Sequence, residues 1–264
     1  MWERAWTEMK KVFLNEFSGK EIQQGIEQGR IDCAITVFGA CESHGPHLPL
    51  GPDLFVPAEI ARRAAMQLDN VVVAPEVPFG TSLHYNKFPI SVTLKYETCI
   101  AIAEDVIESL IEGGIEHVVI LNGHDGNIPA LEIAARNVKD RYEHATIVYI
   151  PAWWEITRAR MPESFDVWDG LGHGGEGETS ITMAVKPDLV DLDEAVSQVP
   201  HDIIELQDFM TVIWDIGELS ETGAIGDPTR ASREKGEKML DIVVDYLVSL
   251  IRKLDERDWK YERI

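Results

Sequence analysis

Short apolar runs alternate with stretches of helical spacing along most of this chain. Ile31–Phe38 (IDCAITVF) is a β-branched run that stops at Gly39 and predicts a first core strand. Pro57–Leu68 carries Ile60, Ala64 and Leu68 at four-residue spacing and predicts a helix. Val71–Ala74, closed by Pro75 and Pro78, predicts a second strand. Tyr96–Glu112 puts Ile100, Ala103, Ile107 and Ile111 on one face and runs into Gly113-Gly114, a suitable helix end. His117–Leu121 and Thr146–Ile150 predict two more strands, with a helix over Ile128–Val138 between them. Asp188–Gly226 is irregular and predicts loops. From Ser232 to Leu254 a long helix is expected, with Ser232 as N-cap and Glu234 in the first turn.

The strand–helix–strand rhythm implies an α/β sheet flanked by helices, with parallel pairing. No repeat, low-complexity tract or Pro/Gly/Ser linker interrupts the pattern, so a single domain over residues 1–264 is expected. In such sheets the loops at the strand C-termini form the natural ligand site.

Charge narrows the partners. With 24 Lys+Arg against 46 Asp+Glu the formal net charge is −22, which argues against nucleic acid and anionic membrane and leaves a small-molecule substrate. Cys33, Cys41 and Cys99 show no CxxC spacing and cannot pair completely, which fits a reducing compartment and not a thiolate metal site. Met1–Lys20 has no apolar h-region, and the apolar runs are strand-sized, so a soluble cytoplasmic chain is the expectation.

Three polar clusters carry candidate chemistry. Glu42-Ser43-His44-Gly45-Pro46-His47 follows the first strand directly, and Asp53 lies one loop further on. In extended backbone Glu42 and His44 project to the same side, toward one ion pair, and the two oxygens of Asp53 could bridge two metals. Carboxylates with imidazoles and no thiolate suit zinc, manganese or iron. An isolated ExH would be read more simply as a polar turn; what favours a site is convergence with other segments. Asn122-Gly123-His124-Asp125-Gly126-Asn127 supplies one, at the end of the strand HVVIL, where His124 can turn back over the sheet edge while Asn127 caps the next helix and Asn122 stabilises the loop. Gly172-His173-Gly174-Gly175-Glu176-Gly177-Glu178-Thr179-Ser180 supplies the other. His173 sits in adaptable backbone suited to proton transfer. Glu176 and Glu178 lie where a helix dipole favours carboxylates, so one of them is expected to be only helix-terminal.

ESHGPHLPLGPD, NGHDGN and HGGEGETS, in this order, together with GDPTRASREKGE near the C-terminus, resemble the creatininase (creatinine amidohydrolase) superfamily over Glu42 to about Leu250. The resemblance implies a creatininase-like three-layer α/β/α sandwich with a mostly parallel central sheet, a homohexamer and a hydrolytic site with two divalent metals. By motif position Glu42 and His124 would bind one metal, His44 the other, Asp53 would bridge them, and His173 would be the catalytic histidine. Trp154 and Trp168 fall near two active-site tryptophans of creatininase, where ordinary aromatic packing is an equal alternative. The departures are as informative. Creatininase has Tyr-Glu after its NGH, the Glu completing the second metal; here stand Asp125 and Gly126, so Glu178, Asp125 or a water must replace that ligand. A Glu before the catalytic histidine is Gly172 here, and FPGT appears as Phe88-Pro89-Ile90-Ser91. His84 matches a histidine common in family members outside creatininase proper and is a candidate substrate contact, as is Asp125.

The expectation is a metal-dependent hydrolase in which water activated by two metals attacks a carbonyl, most simply in a non-peptide C–N bond of a cyclic amide or formamide. The family also contains the 3-dehydro-scyllo-inosose hydrolase of inositol catabolism, which opens a keto-inositol ring at a C–C bond, and that is the alternative. A non-catalytic metal-binding assembly protein is a second alternative, which metal content and turnover of a small panel would separate.

Overall fold

Four parallel strands form the sheet of the computed structural model, which describes residues 10–162, 165, 172–199 and 213–260. They are β1 (Cys33–Phe38), β2 (Val71–Val73), β3 (His117–Asn122) and β4 (Thr146–Ile150), in the order β2-β1-β3-β4. Cys33 stands opposite both Val71 and His117, and Phe38 opposite Asn122. All six residues of β1 are buried, as expected of a strand covered on both faces.

Two-residue alternation divides the apolar side chains between two cores. Cys33, Ile35, Val37, Val119 and Leu121 face helices α2 (Pro52–Met66), α5 (Trp153–Arg160), α6 (Glu176–Val185) and α7 (Arg233–Asp255). Ala34, Phe38, Val118 and Ile120 face α1 (Gly19–Glu27), α3 (Tyr96–Glu112) and α4 (Ile128–Arg141). The result is an α/β fold with helices on both faces of a parallel sheet.

Helix α2 begins at Pro52, five residues before the sequence pattern placed it. Pro52 suits a first helical position, and Pro57, which looked like a start, lies inside. Pro57 has no N–H for the Asp53 carbonyl, which instead faces Gly39 and Gly123; a Cβ on either glycine would crowd it. Two strand-end glycines thus let the first turn of α2 settle against the ends of β1 and β3. Helices α1 and α5 have no counterpart in the sequence reading. A signal for α1 was present, since Ser18 and Glu21 form a reciprocal capping box. Helix α7 carries the expected cap, Ser232 accepting from Lys235 N–H.

Helices α6 and α7 touch backbone to backbone. A Cβ on Gly236 would overlap the Ser180 carbonyl, Ser232 N–H donates to Ser180 Oγ at 3.1 Å, and Lys235 pairs with the buried Glu176. No helix among the described residues is long and apolar enough to cross a membrane.

Candidate metal centre

The strand order reverses direction between β1 and β3, and the three polar clusters meet at the C-terminal ends of those two strands. The segment after β1 is pinned by Glu42 N–H donating to the Leu50 carbonyl and Val92 N–H donating to the Cys41 carbonyl. After β3, Asn122 Nδ2 donates to the carbonyls of His124 and Pro151, fixing the turn as expected. Asn127 does not cap α4 through its side chain. Its Oδ1 accepts from Thr81 N–H and its Nδ2 donates to the Gly39 carbonyl, so it ties three loops together.

Glu42, His44, Asp53, His124 and Glu178 converge with 0 to 6% of their surfaces exposed. Ligand-type atoms of Glu42, Asp53 and His124 lie within 4.8 Å of one another, and so do those of His44, Asp53 and Glu178. Asp53 belongs to both groups: Oδ1 is 3.1 Å from His44 Nε2 and Oδ2 is 3.0 Å from His124 Nδ1. His44 Nδ1 is 3.0 Å from the Glu42 carbonyl, an acceptor only, which leaves Nε2 as the lone-pair nitrogen turned to Asp53 and to Glu178 at 3.5 Å. His124 Nε2 similarly donates to the Thr81 carbonyl, leaving Nδ1 toward Asp53. Glu178 is steadied by Gly174 N–H, which donates to its Oε2.

This constellation fits divalent cations. Neither oxygen of Glu42, nor Asp53 Oδ2, receives a well-directed hydrogen bond from a described residue, although His124 Nε2 comes within 3.2 Å of Glu42 Oε2. Buried carboxylate oxygens without a directed donor, beside the lone-pair nitrogen of His124, are what ligands of a cation would show. Burial pushes the Glu42 carboxyl up to about 8. Burial alone would depress His44 and His124, yet Glu178 and Asp53 drive His44 well above its ordinary value, and Glu42 and Asp53 raise His124 to about 9. Three buried carboxylates therefore create a strong demand for positive charge.

His173 lies at the rim of this group. Its Nε2 is 2.7 Å from the Ser43 carbonyl, its Nδ1 is 3.9 Å from Glu42 Oε1, and its ring stacks on His44 at 4.2 Å. Burial, and then the charge on His44, hold its pKa well below the ordinary histidine value, so it is a neutral base with Nδ1 as its free nitrogen. Glu42, His44 and His173 also come within ligand distance as a third group. Gly172, at φ 61°, and Gly174, at φ 58°, let this loop pass close to the Ile225 and His44 carbonyls.

The remaining candidates scatter. His84 joins the site, its ring parallel to His124 at 5.9 Å. Asp125 is exposed, beside the site and not in it. Trp154 is half-buried, edge-on to Trp153 at 5.8 Å and packed on the core beneath α7. Trp168 lies outside the described residues. Glu176 is the helix-terminal glutamate, held by Lys235. Cys41 is half-buried and free, outside every ligand group found. Sequence reasoning missed Tyr85, 3% exposed, whose ring lies 4.4 Å from His173. Its only signal was adjacency to His84.

Residues 15–251 match the family model for creatinine amidohydrolase. The chain is 29% identical to the creatinine amidohydrolase of Pseudomonas putida, over 92% of this chain and 97% of that protein. It is 30% identical to a mycofactocin precursor peptide peptidase of Mycolicibacterium smegmatis, over 84% and 85%. It is 24% identical to the 3-dehydro-scyllo-inosose hydrolase of Thermotoga maritima, over 93% and 84%. Among solved structures, a manganese creatininase superposes with a TM-score of 0.79 at 28% identity, and a zinc–zinc creatininase variant with 0.79 at 29%, each covering 92% of this chain and 98% of the other.

Proposed function

The chain belongs to the creatininase family and is a metal-dependent hydrolase, and from that premise we propose that it opens a non-peptide C–N bond in a cyclic amide or formamide. Glu42 and His124 would hold one divalent ion, His44 and Glu178 a second, and Asp53 would reach both; zinc and manganese suit the donors. The observation that carries this is the double membership of Asp53, whose two oxygens face different histidines from different segments. Divalent ions bound there supply Lewis acidity, which makes water a nucleophile near neutral pH and polarises a carbonyl.

The chain's own residues do the rest. His173 takes the proton of the attacking water at Nδ1, since its Nε2–H is committed to the Ser43 carbonyl, and returns it to the leaving nitrogen. Its depressed basicity keeps it unprotonated and ready at neutral pH. His84, parallel to His124 at the rim, would contact the substrate, with exposed Asp125 beside it. Because the ligand side chains are almost fully buried, a small substrate reaches them more readily than a folded polypeptide. Assembly as a homohexamer accompanies this reading by family resemblance, the free cysteines suit a reducing cytoplasm, and light scattering would measure the oligomer.

The second reading, ring opening of a keto-inositol, is favoured by the Thermotoga maritima relative, which aligns with 93% of this chain. Both reactions need the same polarised carbonyl. The test is turnover of creatinine, an N-formyl amine, a short peptide and 3-dehydro-scyllo-inosose by zinc- or manganese-loaded protein. Hydrolysis of a non-peptide amide supports the first reading. Turnover of the inosose alone, or of the peptide alone, overturns it.

A further inference from the structure

The loop that carries His173 is a poor platform for a proton-transfer residue. Gly172, Gly174 and Gly175 surround it, and two of the three adopt positive φ. An imidazole on such backbone needs its orientation fixed from outside, because a displacement of about 1 Å at a reacting group can cost on the order of 10²-fold in rate. Three contacts surround the ring. Ser43 holds one edge through the 2.7 Å contact with Nε2. His44 covers one face at 4.2 Å, with 27° between planes. Tyr85 adds a second ring contact at 4.4 Å, with 34° between planes.

Tyr85 is itself held firmly. It ends a single 3-10 turn, Leu83–Tyr85, with its N–H donating to the Ser82 carbonyl and its own carbonyl accepting from Phe88 N–H, both at 3.0 Å. Its side chain packs with Ile216 and Ile225, beside Phe88 and Leu219. Ile225 N–H in turn donates to the His173 carbonyl at 2.6 Å. The same small apolar cluster therefore grips both the Tyr85 ring and the His173 backbone. Tyr85 Oη makes no hydrogen bond with any described residue, so the ring, and not the hydroxyl, makes its contacts there.

We propose that Tyr85 is a positioning residue for His173: its ring, backed by Ile216 and Ile225, works with His44 and Ser43 to keep Nδ1 turned toward the site. Calling the positioned group catalytic rests on the proton-transfer role given to His173 above; the clamp itself does not.

Histidine ¹⁵N NMR of the zinc-loaded protein tests it without a substrate. The His173 Nε2–H signal, identified by its loss in His173→Ala, is expected to be slowly exchanging in the wild type and in Tyr85→Phe. In Tyr85→Leu it is expected to broaden or vanish, with zinc content unchanged by elemental analysis. On whichever panel substrate is turned over, Tyr85→Leu is expected to lower kcat by about 10–100-fold with KM little altered, and Tyr85→Phe to restore it. In a His173→Ala background Tyr85→Leu should cost nothing further. A sharp, protected His173 signal in folded Tyr85→Leu overturns the clamp. Normal turnover by His173→Ala overturns the proton-transfer role while leaving the clamp standing, so the two failures are distinct.

Discussion

The imidazoles of His44 and His173 stack at 4.2 Å, yet only His44 has carboxylates within 3.5 Å of its free nitrogen. Two adjacent rings are thus set up for different work. His173→Ala is expected to keep its metal and lose about 10²–10⁴-fold in turnover, the usual contribution of a proton-transfer histidine. His124→Ala, which removes a ring between Glu42 and Asp53, should lose metal first and activity with it. Metal stoichiometry and single-turnover rates on both variants check this, and a metal-depleted His173→Ala would move that residue into the ligand set.

Asp53→Ala is expected to abolish activity and reduce bound metal below two ions per chain, because among the described residues Asp53 alone joins the group of Glu42 and His124 to the group of His44 and Glu178. Glu42→Ala should deplete chiefly one ion. Two full equivalents in purified Asp53→Ala, by elemental analysis, would contradict the shared role.

Stripped of metal, the protein should become less stable as pH rises from about 6.5 to about 9. The folded-state pKa of Glu42 is raised to about 8 and that of His124 to about 9, with His44 also raised. A group raised in the folded state contributes stability that is present below its unfolded value and lost as pH climbs through the folded one. Divalent ions would replace those protons and flatten or reverse the trend. Thermal melts across this pH range, with and without chelator, decide it; a metal-free protein that gains stability with rising pH would refute the electrostatic account.

How much of this was legible in the chain depended on what each feature needed. Strands β1 and β3 announced themselves as continuous apolar runs because both their faces are covered, and helix α3 as a stripe because burial on one face imposes a period. Glu42, His44, Asp53 and His124 could be placed at one sheet edge because parallel topology brings strand C-termini together. The start of α2 was not legible, since Pro57 has the same chemistry at a helix start as one turn inside. Tyr85 was not legible either: a ring that steadies another ring across sequence has no local spacing. Nor could the sequence divide the roles of Glu176 and Glu178, which are two apart at one helix end and differ only in whether Lys235 or His44 lies opposite.

Restoring the creatininase-type glutamate at Gly126 should fail. A Cβ there would overlap the Thr81 carbonyl and lie 2.6 Å from His124 Nε2. Even Gly126→Ala is expected to destabilise by about 2–4 kcal/mol through displaced backbone, and Gly126→Glu by no less. A melt of Gly126→Glu within a degree or two of wild type, with a second ion gained, would show that the loop opens freely.

Ile90 stands where the family resemblance expects glycine, and it keeps a glycine's backbone, with φ 58° and 71% of its surface exposed. A β-branched residue in that region carries strain, and its exposed side chain has little packing to lose. Ile90→Gly is therefore expected to stabilise by about 0.5–1 kcal/mol, strain relief exceeding the added chain entropy. A lowered melting temperature would mean that the side chain has a partner outside this chain.

The packing of Gly236 against Ser180 has a consequence for the newborn chain. Glu42, Asp53 and His124 all precede α6 in the chain, so one ligand set can close before Glu178 is available. His44 and Asp53 wait for Glu178 on α6, which packs on α2 and completes its packing when α7, near the end of the sequence, lays Gly236 on it. Domains fold as their segments emerge. A chain halted before α7 would thus sequester metal in an immature half-centre, making translation itself the step that separates a metal-binding intermediate from a competent hydrolase.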